Sequence, residues 1–193
     1  MKKYFFLLAI VILSALSTNA QNTVKPGQTE ERNGLVFMKG DSKPFTGTVA
    51  AFFDTGTKQL ETHYLNGKQD GMETSWYPSG KVMMEITYRD GEFNGPYRFY
   101  YPEGGMEYEK IYSGGLMNGY SVHYYHGGEK EYEGAYIDCR ETGTWTFYYP
   151  NGKKMKEGAF EQGFEEGTWQ FWNDKGELTK TATYKSGDIV NKQ

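Results

Sequence analysis

Apolar and polar residues follow two different patterns along this chain. Residues 4 to 16 form an apolar run that contains one polar residue, Ser14, whereas beyond residue 34 tyrosine, tryptophan and phenylalanine are interspersed with polar residues and glycine. Aromatic residues fit the pleated surface of a β-sheet, and glycine supplies the positive φ angles of tight turns. The larger part of the chain is therefore predicted to consist of short strands joined by turns.

The second pattern repeats every 24 residues. Glycine begins each unit, the sixth position is always aromatic, the tenth is always glycine, the eighteenth is tyrosine or phenylalanine, and the fifteenth is glutamate in five of the six units. The units begin at Gly47, Gly71, Gly95, Gly119, Gly143 and Gly167. A fixed period of this length is the signature of a repeat architecture.

Each unit contains two turn signals. Positions nine and ten end in glycine in every unit, and positions twenty and twenty-one include Asn-Gly, Asp-Gly and Gly-Gly. Such pairs favour two-residue type I′ turns, because both turn residues must adopt positive φ. Each unit is therefore predicted to be one hairpin. The fold class expected is all-β, a repetitive single-layer antiparallel meander of about six hairpin repeats and twelve strands.

Two-residue turns at both places would also fix the strand register. They predict that the pairing moves by two residues per unit, so that the sheet slants by about 7 Å per hairpin. Positions three, five, seven and eighteen would then share one face, and positions six, thirteen and fifteen the other. Because both faces carry aromatic residues, the sheet is expected either to coil around one aromatic column or to expose a stripe for interaction.

The chain divides into four predicted parts. Residues 1–20 combine two lysines, the apolar run and small residues ending in Ala20, which is the pattern of a secretory signal cleaved after Ala20. The run is shorter than the roughly 20 residues of a spanning helix, although an uncleaved anchor is the alternative. Residues 21–33 are predicted to be a polar linker and residues 34–46 a capping half-repeat. The hairpin region, 47–193, holds units 47–70, 71–94, 95–118, 119–142, 143–166 and 167–190.

Charge and cysteine content narrow the classes of partner. The net charge is −4, and it becomes −6 without Lys2 and Lys3 of the predicted signal, which argues against a nucleic-acid partner and against an anionic lipid surface. Cys139 is the single cysteine, so no internal disulfide can form. We expect an exported protein, periplasmic or extracellular, with no membrane span once the signal is removed.

Candidate catalytic and metal-binding groups are few. The repeated glutamates share one neighbourhood, whereas acid/base catalysis needs carboxylates in different environments, so we expect each to accept hydrogen bonds from a turn amide or a tyrosine hydroxyl. The histidines are His63, His123 and His126, and the last two are expected to face opposite sides of the sheet. The sequence therefore indicates no catalytic residue, no metal site, no cofactor and no enzyme.

The segments YYPNGKKMKEG and WYPSGKVMMEITYRDGEFNG resemble the MORN-repeat variant of bacterial proteins. The resemblance extends over roughly residues 34 to 188. It implies an array of hairpins that contacts proteins or lipids and has no chemistry of its own. Some members with this repeat are antitoxin components of the YwqK type.

Positions that vary between units are the candidates for binding a partner, because constant positions are demanded by the fold. Positions three and five become more aromatic toward the C-terminal units. The candidate docking patch consists of Tyr97, Phe99, Trp145, Phe147, Trp169 and Phe171. The alternative is that these rings fill a local core.

Three functions are compatible with these features. The leading interpretation is an exported, non-catalytic interaction or scaffold module that presents side chains to another protein or an envelope component. A second is a ligand-binding array for cell-wall carbohydrate or choline-like groups, since aromatic cages hold quaternary ammonium. A third is a toxin-neutralising protein. Unpaired edge strands at the ends of the array could also support self-association.

Overall fold

The computed structural model describes residues 22 to 192, so the predicted signal, residues 1–20, lies outside the described residues. The N-terminal elements are β1 (Thr23–Val24), a 3-10 turn (Pro26–Gln28), β2 (Thr29–Arg32) and β3 (Leu35–Met38). The repeat strands are β4 (Gly47–Phe52), β5 (Lys58–Leu65), β6 (Lys68–Gln69), β7 (Gly71–Trp76), β8 (Val82–Arg89), β9 (Glu92–Tyr100), β10 (Met106–Ser113), β11 (Leu116–Tyr124), β12 (Lys130–Ile137), β13 (Arg140–Tyr148), β14 (Lys154–Glu161), β15 (Phe164–Trp172), β16 (Leu178–Lys185) and β17 (Asp188–Lys192). Residues 22 to 192 include no helix long and apolar enough to cross a membrane.

A single sheet contains 15 strands, and its order follows the chain. From β4 to β17 each long strand pairs antiparallel with the next, β1 joins β4 in parallel, and β6 pairs with β5. Strands β2 and β3 form a separate hairpin. The predicted all-β meander is confirmed.

The turn at positions twenty and twenty-one has the predicted geometry. Both of its residues adopt positive φ in every unit, including Asp138 at 49° and Cys139 at 63°. The second turn residue also donates its N–H to the preceding unit, as from Cys139 to the Met117 carbonyl at 2.9 Å and from Gly163 to the Glu141 carbonyl at 3.0 Å. Successive turns are therefore hydrogen-bonded to their neighbours along one edge of the sheet.

The turn at positions nine and ten differs from the prediction. In the fifth unit Tyr149 N–H donates to the Lys153 carbonyl at 2.8 Å, and Gly152 N–H donates to the Tyr149 carbonyl at 2.9 Å. Residues 150–152 thus form a three-residue loop, with positive φ at Gly152 alone. This is a type I turn followed by a glycine bulge. The type I′ prediction was wrong here because Pro150 fixes a negative φ at the first loop position.

The predicted slant of the sheet is also wrong, because a second bulge removes it. Between β12 and β13, Ala135 pairs with Thr142 but Glu133 pairs with Thr146, so β13 carries two extra residues. Glu157 likewise pairs with Thr146 on one side and with Gln170, the equivalent of Thr146 one unit later, on the other. The bulge cancels the offset that the turns alone would produce. Each column of equivalent side chains therefore runs straight across the sheet.

The polar segment interpreted as a linker carries structure between residues 22 and 32. Strand β1 lies against β4, where Thr48 N–H donates to the Asn22 carbonyl at 3.0 Å. Val24 packs with Phe45 and Val49 in a small buried cluster. The interpretation of this segment as a linker was therefore wrong. The edge of the sheet has unpaired backbone N–H and C=O groups, and a polar segment can pair with them although its composition does not predict a strand.

Cys139→Gly is expected to stabilise the protein by about 0.5–1 kcal/mol, because glycine adopts the left-handed conformation of this turn at no steric cost. The melting temperature should rise by about 2 °C. The matched control is Gly163→Cys, the reverse change at the same turn position of the next unit, which should lower it. A melting temperature that falls in Cys139→Gly would contradict the turn assignment.

Candidate interaction surface

One face of the sheet carries a continuous column of side chains from positions five and fourteen, which we call the ladder. Because the columns run straight, each member stands beside the member on the neighbouring strand. In order the ladder contains Ala51, Leu60, Ser75, Met84, Phe99, Tyr108, His123, Tyr132, Phe147, Lys156, Phe171 and Lys180. The sequence had assigned position five to a shared face, but the full ladder depends on the register that the bulge restores.

The rings in the middle of the ladder stack on one another. The ring centroids of Phe99 and Tyr108 are 5.5 Å apart with planes inclined by 11°, and those of His123 and Tyr132 are 5.1 Å apart at 13°. Tyr108 and His123 continue the stack at 6.1 Å and 16°. Each ring covers the faces of its neighbours, so the ladder presents ring edges outward.

Toward the C-terminal end the ladder alternates rings with lysine. Lys156 Nζ lies 4.4 Å from the ring centroid of Phe147 and 4.8 Å from that of Trp169. Lys180 Nζ lies 4.3 Å from the ring of Phe171. A cation over an aromatic face is attracted by the ring quadrupole. The lysines therefore take the places in the stack that rings occupy in the middle units.

Two of the predicted patch residues lie in the core. Trp145 is 3% exposed and Trp169 is 0% exposed. Their indole N–H groups donate to the carbonyls of Ala135 and Ala159, both at 3.2 Å. These two side chains therefore fill a local core, which was the alternative to docking, and neither is accessible to a partner.

The other four patch residues keep part of their surface exposed. Phe99, Phe147 and Phe171 are half-buried members of the ladder, and Tyr97 lies beside it with its hydroxyl 3.3 Å from that of Tyr108. The structure brings Tyr97 and Phe99 together with Tyr108, a ring that the sequence prediction left out. Contact of these residues with a partner stays a prediction.

Each buried tryptophan packs over a glycine at position sixteen of the preceding unit. A Cβ atom on Gly134 would lie 2.2 Å from the Trp145 indole, and one on Gly158 would lie 2.1 Å from the Trp169 indole. The six residues at position sixteen are Thr62, Ile86, Lys110, Gly134, Gly158 and Ala182. Glycine stands there only in the two units that precede a tryptophan, a signal that could have identified both rings as core.

The opposite face carries the glutamate column, and its members are held by hydrogen bonds. Glu133 accepts from Lys130 Nζ at 2.6 Å, from the Tyr148 hydroxyl at 2.5 Å and from the Tyr120 hydroxyl. Burial favours the neutral acid, but the three hydrogen bonds outweigh it and lower the pKa of Glu133 to about 2. The predicted tyrosine donors are confirmed for this residue.

Other glutamates of the column have different donors. Glu85 accepts from the Tyr100 hydroxyl at 2.9 Å, and Glu109 accepts from Arg98 Nε at 2.5 Å. The pKa of Tyr100 is raised to about 12, by burial first and then by its bond to Glu85. These contacts hold neighbouring strands together, so the carboxylates have the structural role that the sequence predicted for the repeated glutamates.

Tyrosines at position seven tie neighbouring units together. Their hydroxyl groups donate to a backbone carbonyl of the next unit at 2.7 to 2.9 Å. The pairs are Tyr77 with Tyr100, Tyr101 with Tyr124, Tyr125 with Tyr148, and Tyr149 with Trp172. The loop edge of the sheet is therefore cross-linked from the second unit to the sixth.

His123 has two carboxylate neighbours. Its Nδ1 lies 2.7 Å from Glu131 Oε2, without the direction of a hydrogen bond, and its Nε2 lies 3.9 Å from Glu107 Oε1. Glu131 occupies position thirteen, which the sequence predicted to lie on the opposite face from position five. That prediction was wrong because the bulge at the loop changes which side chains of the strand point to each face. His126 is exposed, with Nε2 3.0 Å from Glu103 Oε2. Within residues 22 to 192, no three His, Cys, Asp or Glu side chains are grouped to hold a metal.

Comparison with protein families matches the MORN repeat variant at residues 69–90, 141–162 and 165–186. These are MORN-variant repeats. Each matched segment ends at the first residue of a type I′ turn and is centred on a three-residue loop, so the family repeat corresponds to the hairpins β7–β8, β13–β14 and β15–β16. A search of curated proteins finds no match to the chain.

Gly158→Ala is expected to destabilise the protein by about 1–3 kcal/mol, because the added methyl group overlaps the buried Trp169 indole. Urea unfolding measures this change. The control is Lys110→Ala, at the same position ahead of Ser121, which should alter stability by no more than about 0.5 kcal/mol. Equal effects of the two substitutions would contradict the packing of tryptophan on glycine.

Glu133 should make the protein sensitive to acid. Because its pKa is lowered in the folded state, the stabilisation is present above the ordinary value of 4.5 and is lost as the pH falls to about 2. Glu133→Gln should therefore lower the free energy of unfolding at pH 7 by about 1–3 kcal/mol and flatten its fall in acid. Glu129→Gln, an exposed carboxylate, controls for the lost charge. An unchanged acid profile in Glu133→Gln would contradict the assignment.

Proposed function

We propose that this MORN-variant protein is an exported, non-catalytic interaction module, and that the ladder is its binding surface. The matched MORN repeats indicate a repeat protein that interacts with proteins or with membranes. The observation that carries the proposal is the row of half-buried ring edges from Phe99 to Phe147, which Lys156 and Phe171 continue. Export is supported by the signal pattern of residues 1–20.

A protein partner fits the chemistry of this surface. The ring edges of the ladder and the Tyr108 hydroxyl combine apolar area with a hydrogen-bonding group, a mixture enriched at protein interfaces. The acceptors Glu107 and Glu131 flank His123 on the same face. The paired turns and the tyrosine bonds keep these groups at fixed spacing, which lowers the entropy lost on binding.

Carbohydrate or choline-like ligands fit the middle of the ladder less well. Recognition of a quaternary ammonium uses the open face of an aromatic ring. In the stack from Phe99 to Tyr132 the ring faces are turned toward each other at 5.1 to 6.1 Å. A toxin-neutralising role remains a special case of the protein-partner proposal, since the partner would then be the toxin.

A pull-down from the envelope and secreted fractions of the source organism tests the proposal. The bait is the protein itself, beside the double variant Phe99→Ser with Phe171→Ser. The matched control is Phe52→Ser with Phe164→Ser, which removes two rings that are 50% and 57% exposed outside the ladder. Thermal unfolding confirms that each variant is folded.

We expect one protein to be retained by the wild type and the control variant and lost by the ladder variant. Recovery of polysaccharide or lipid without protein would overturn the protein-partner proposal in favour of ligand binding. Retention of the same protein by the ladder variant would place the binding surface elsewhere.

A further inference from the structure

Strand β17 (Asp188–Lys192) lies at one end of the 15-stranded sheet. Among residues 22 to 192 it pairs with β16 alone, so its outer edge presents backbone N–H and C=O groups that no described strand uses. Each of its residues is exposed, including Ile189 at 55% and Val190 at 59%. This end of the sheet therefore combines a free edge with exposed β-branched side chains, which favour strand pairing.

The opposite end of the sheet is covered. There β1 pairs with β4, and Val24, Phe45 and Val49 form a buried cluster. No such cluster involves a residue of β17 within the described part of the chain. The two ends of the array thus differ, and the C-terminal end is the one that can accept a further strand.

The sequence of β17 is self-complementary in charge. It reads Asp-Ile-Val-Asn-Lys, with an acid at its first position and a base at its last. If two copies of this strand pair antiparallel about the central valine, Asp188 of each copy stands opposite Lys192 of the partner subunit. Opposite charges placed directly across antiparallel strands stabilise the pair, whereas like charges destabilise it. Neither Asp188 nor Lys192 forms an ion pair with another residue between 22 and 192.

We propose that two copies of this chain pair antiparallel through their β17 strands, with Val190 facing Val190 of the partner subunit. The inference goes beyond the proposed function and does not rest on it. A second copy is the occupant because one strand supplies both the acid and the base that this register requires. Lysine on an edge strand ordinarily discourages pairing, but here it meets a carboxylate.

Val190 is also the residue of β17 that is free of β16. Tyr184 pairs with Ile189 and Thr183 pairs with Asn191, so Val190 is an extra residue between the two pairs. The extra residue of a bulge is left unpaired by the neighbouring strand. The centre of the proposed contact therefore falls on a residue that the sheet of its own chain does not use.

This pairing would place both ladders on the same face of a continuous sheet. Directly opposed residues of antiparallel strands point to the same face, so a two-fold axis perpendicular to the sheet keeps the faces of the two copies together. The contact involves the 5 residues of β17 from each copy, which makes it small. Small interfaces are weak, so we expect a dimer that dissociates on dilution.

Sedimentation equilibrium of the protein over a range of concentrations tests the pairing. The average mass should rise from that of a monomer toward that of a dimer below about 1 mM. Asp188→Lys and Lys192→Asp each place like charges opposite one another at two symmetric sites, so each should weaken dimerisation roughly tenfold. The double variant restores opposite charges in the same register and should dimerise as the wild type does.

The double variant also separates pairing between copies from effects within the chain. Asp188 pairs with Lys185 across the turn, so Asp188→Lys alters a contact inside the monomer as well. The double variant keeps that internal change, and recovery of the dimer would therefore report the contact between copies. Asp54→Lys, at an exposed turn of the first unit, is the matched control for net charge and should leave the dimer unchanged. Thermal unfolding checks that each variant is folded.

Oxidative cross-linking tests the register. The background is Cys139→Gly, which removes the single thiol of the chain. Opposed residues of antiparallel strands have Cα atoms about 4.5 to 5.5 Å apart, a distance that a disulfide spans. Val190→Cys should therefore form a covalent dimer. Ser186→Cys, an exposed turn residue that the pairing places far from its own copy, should not.

A monomer at every concentration up to about 1 mM would overturn the inference. A dimer that the single charge variants leave unchanged, or that the double variant fails to restore, would also overturn it. Cross-linking of Ser186→Cys as efficient as that of Val190→Cys would contradict the register. None of these results bears on the pull-down, so the proposed function would stand. Concentration-dependent dimers with charge rescue and selective cross-linking at Val190→Cys would support the inference.

Discussion

A bulge after each type I′ turn keeps every column of side chains straight across the sheet, and the remaining features depend on that register. Without it, each hairpin would shift by two residues, and equivalent positions would drift along the strands. With it, Glu157 pairs with Thr146 and Gln170, and Phe147 stands between Tyr132 and Lys156. Equivalent positions of successive units thereby lie side by side and form continuous ladders.

Straight columns also explain how a single-layer sheet is stabilised without one large core. Buried apolar clusters lie at its two ends, around Phe45 at the N-terminal end and around Trp169 at the C-terminal end. Between them, the ring stack occupies one face and the Arg98 pairs with Glu85 and Glu109 occupy the other. The protein thus distributes its packing along the array, as expected where each repeat contacts only its neighbours.

The same regularity makes departures from the repeat informative. Glycine at position sixteen marks the two places where a tryptophan enters the core, and lysine in the ladder marks where cation–π contacts replace ring stacking. Alanine and serine at position five mark the place where the ladder lacks rings and a cleft opens. Variation within a column therefore distinguishes positions that serve core packing from positions that set the composition of the surface.

The sequence by itself determined the all-β hairpin array, the type I′ turns at positions twenty and twenty-one and the structural role of the glutamates, because these follow from the residues that recur at a fixed period. The three-residue loops, the bulges and the resulting register required the tertiary structure, since pairing across strands is set by hydrogen bonds between residues distant in the chain. That register decided that Trp145 and Trp169 are buried while Phe99 and Phe171 keep exposed edges. The strands within residues 22 to 32 were not predicted for the same reason. Their hydrogen bonds are made to other strands, and the composition of the segment itself does not reveal them.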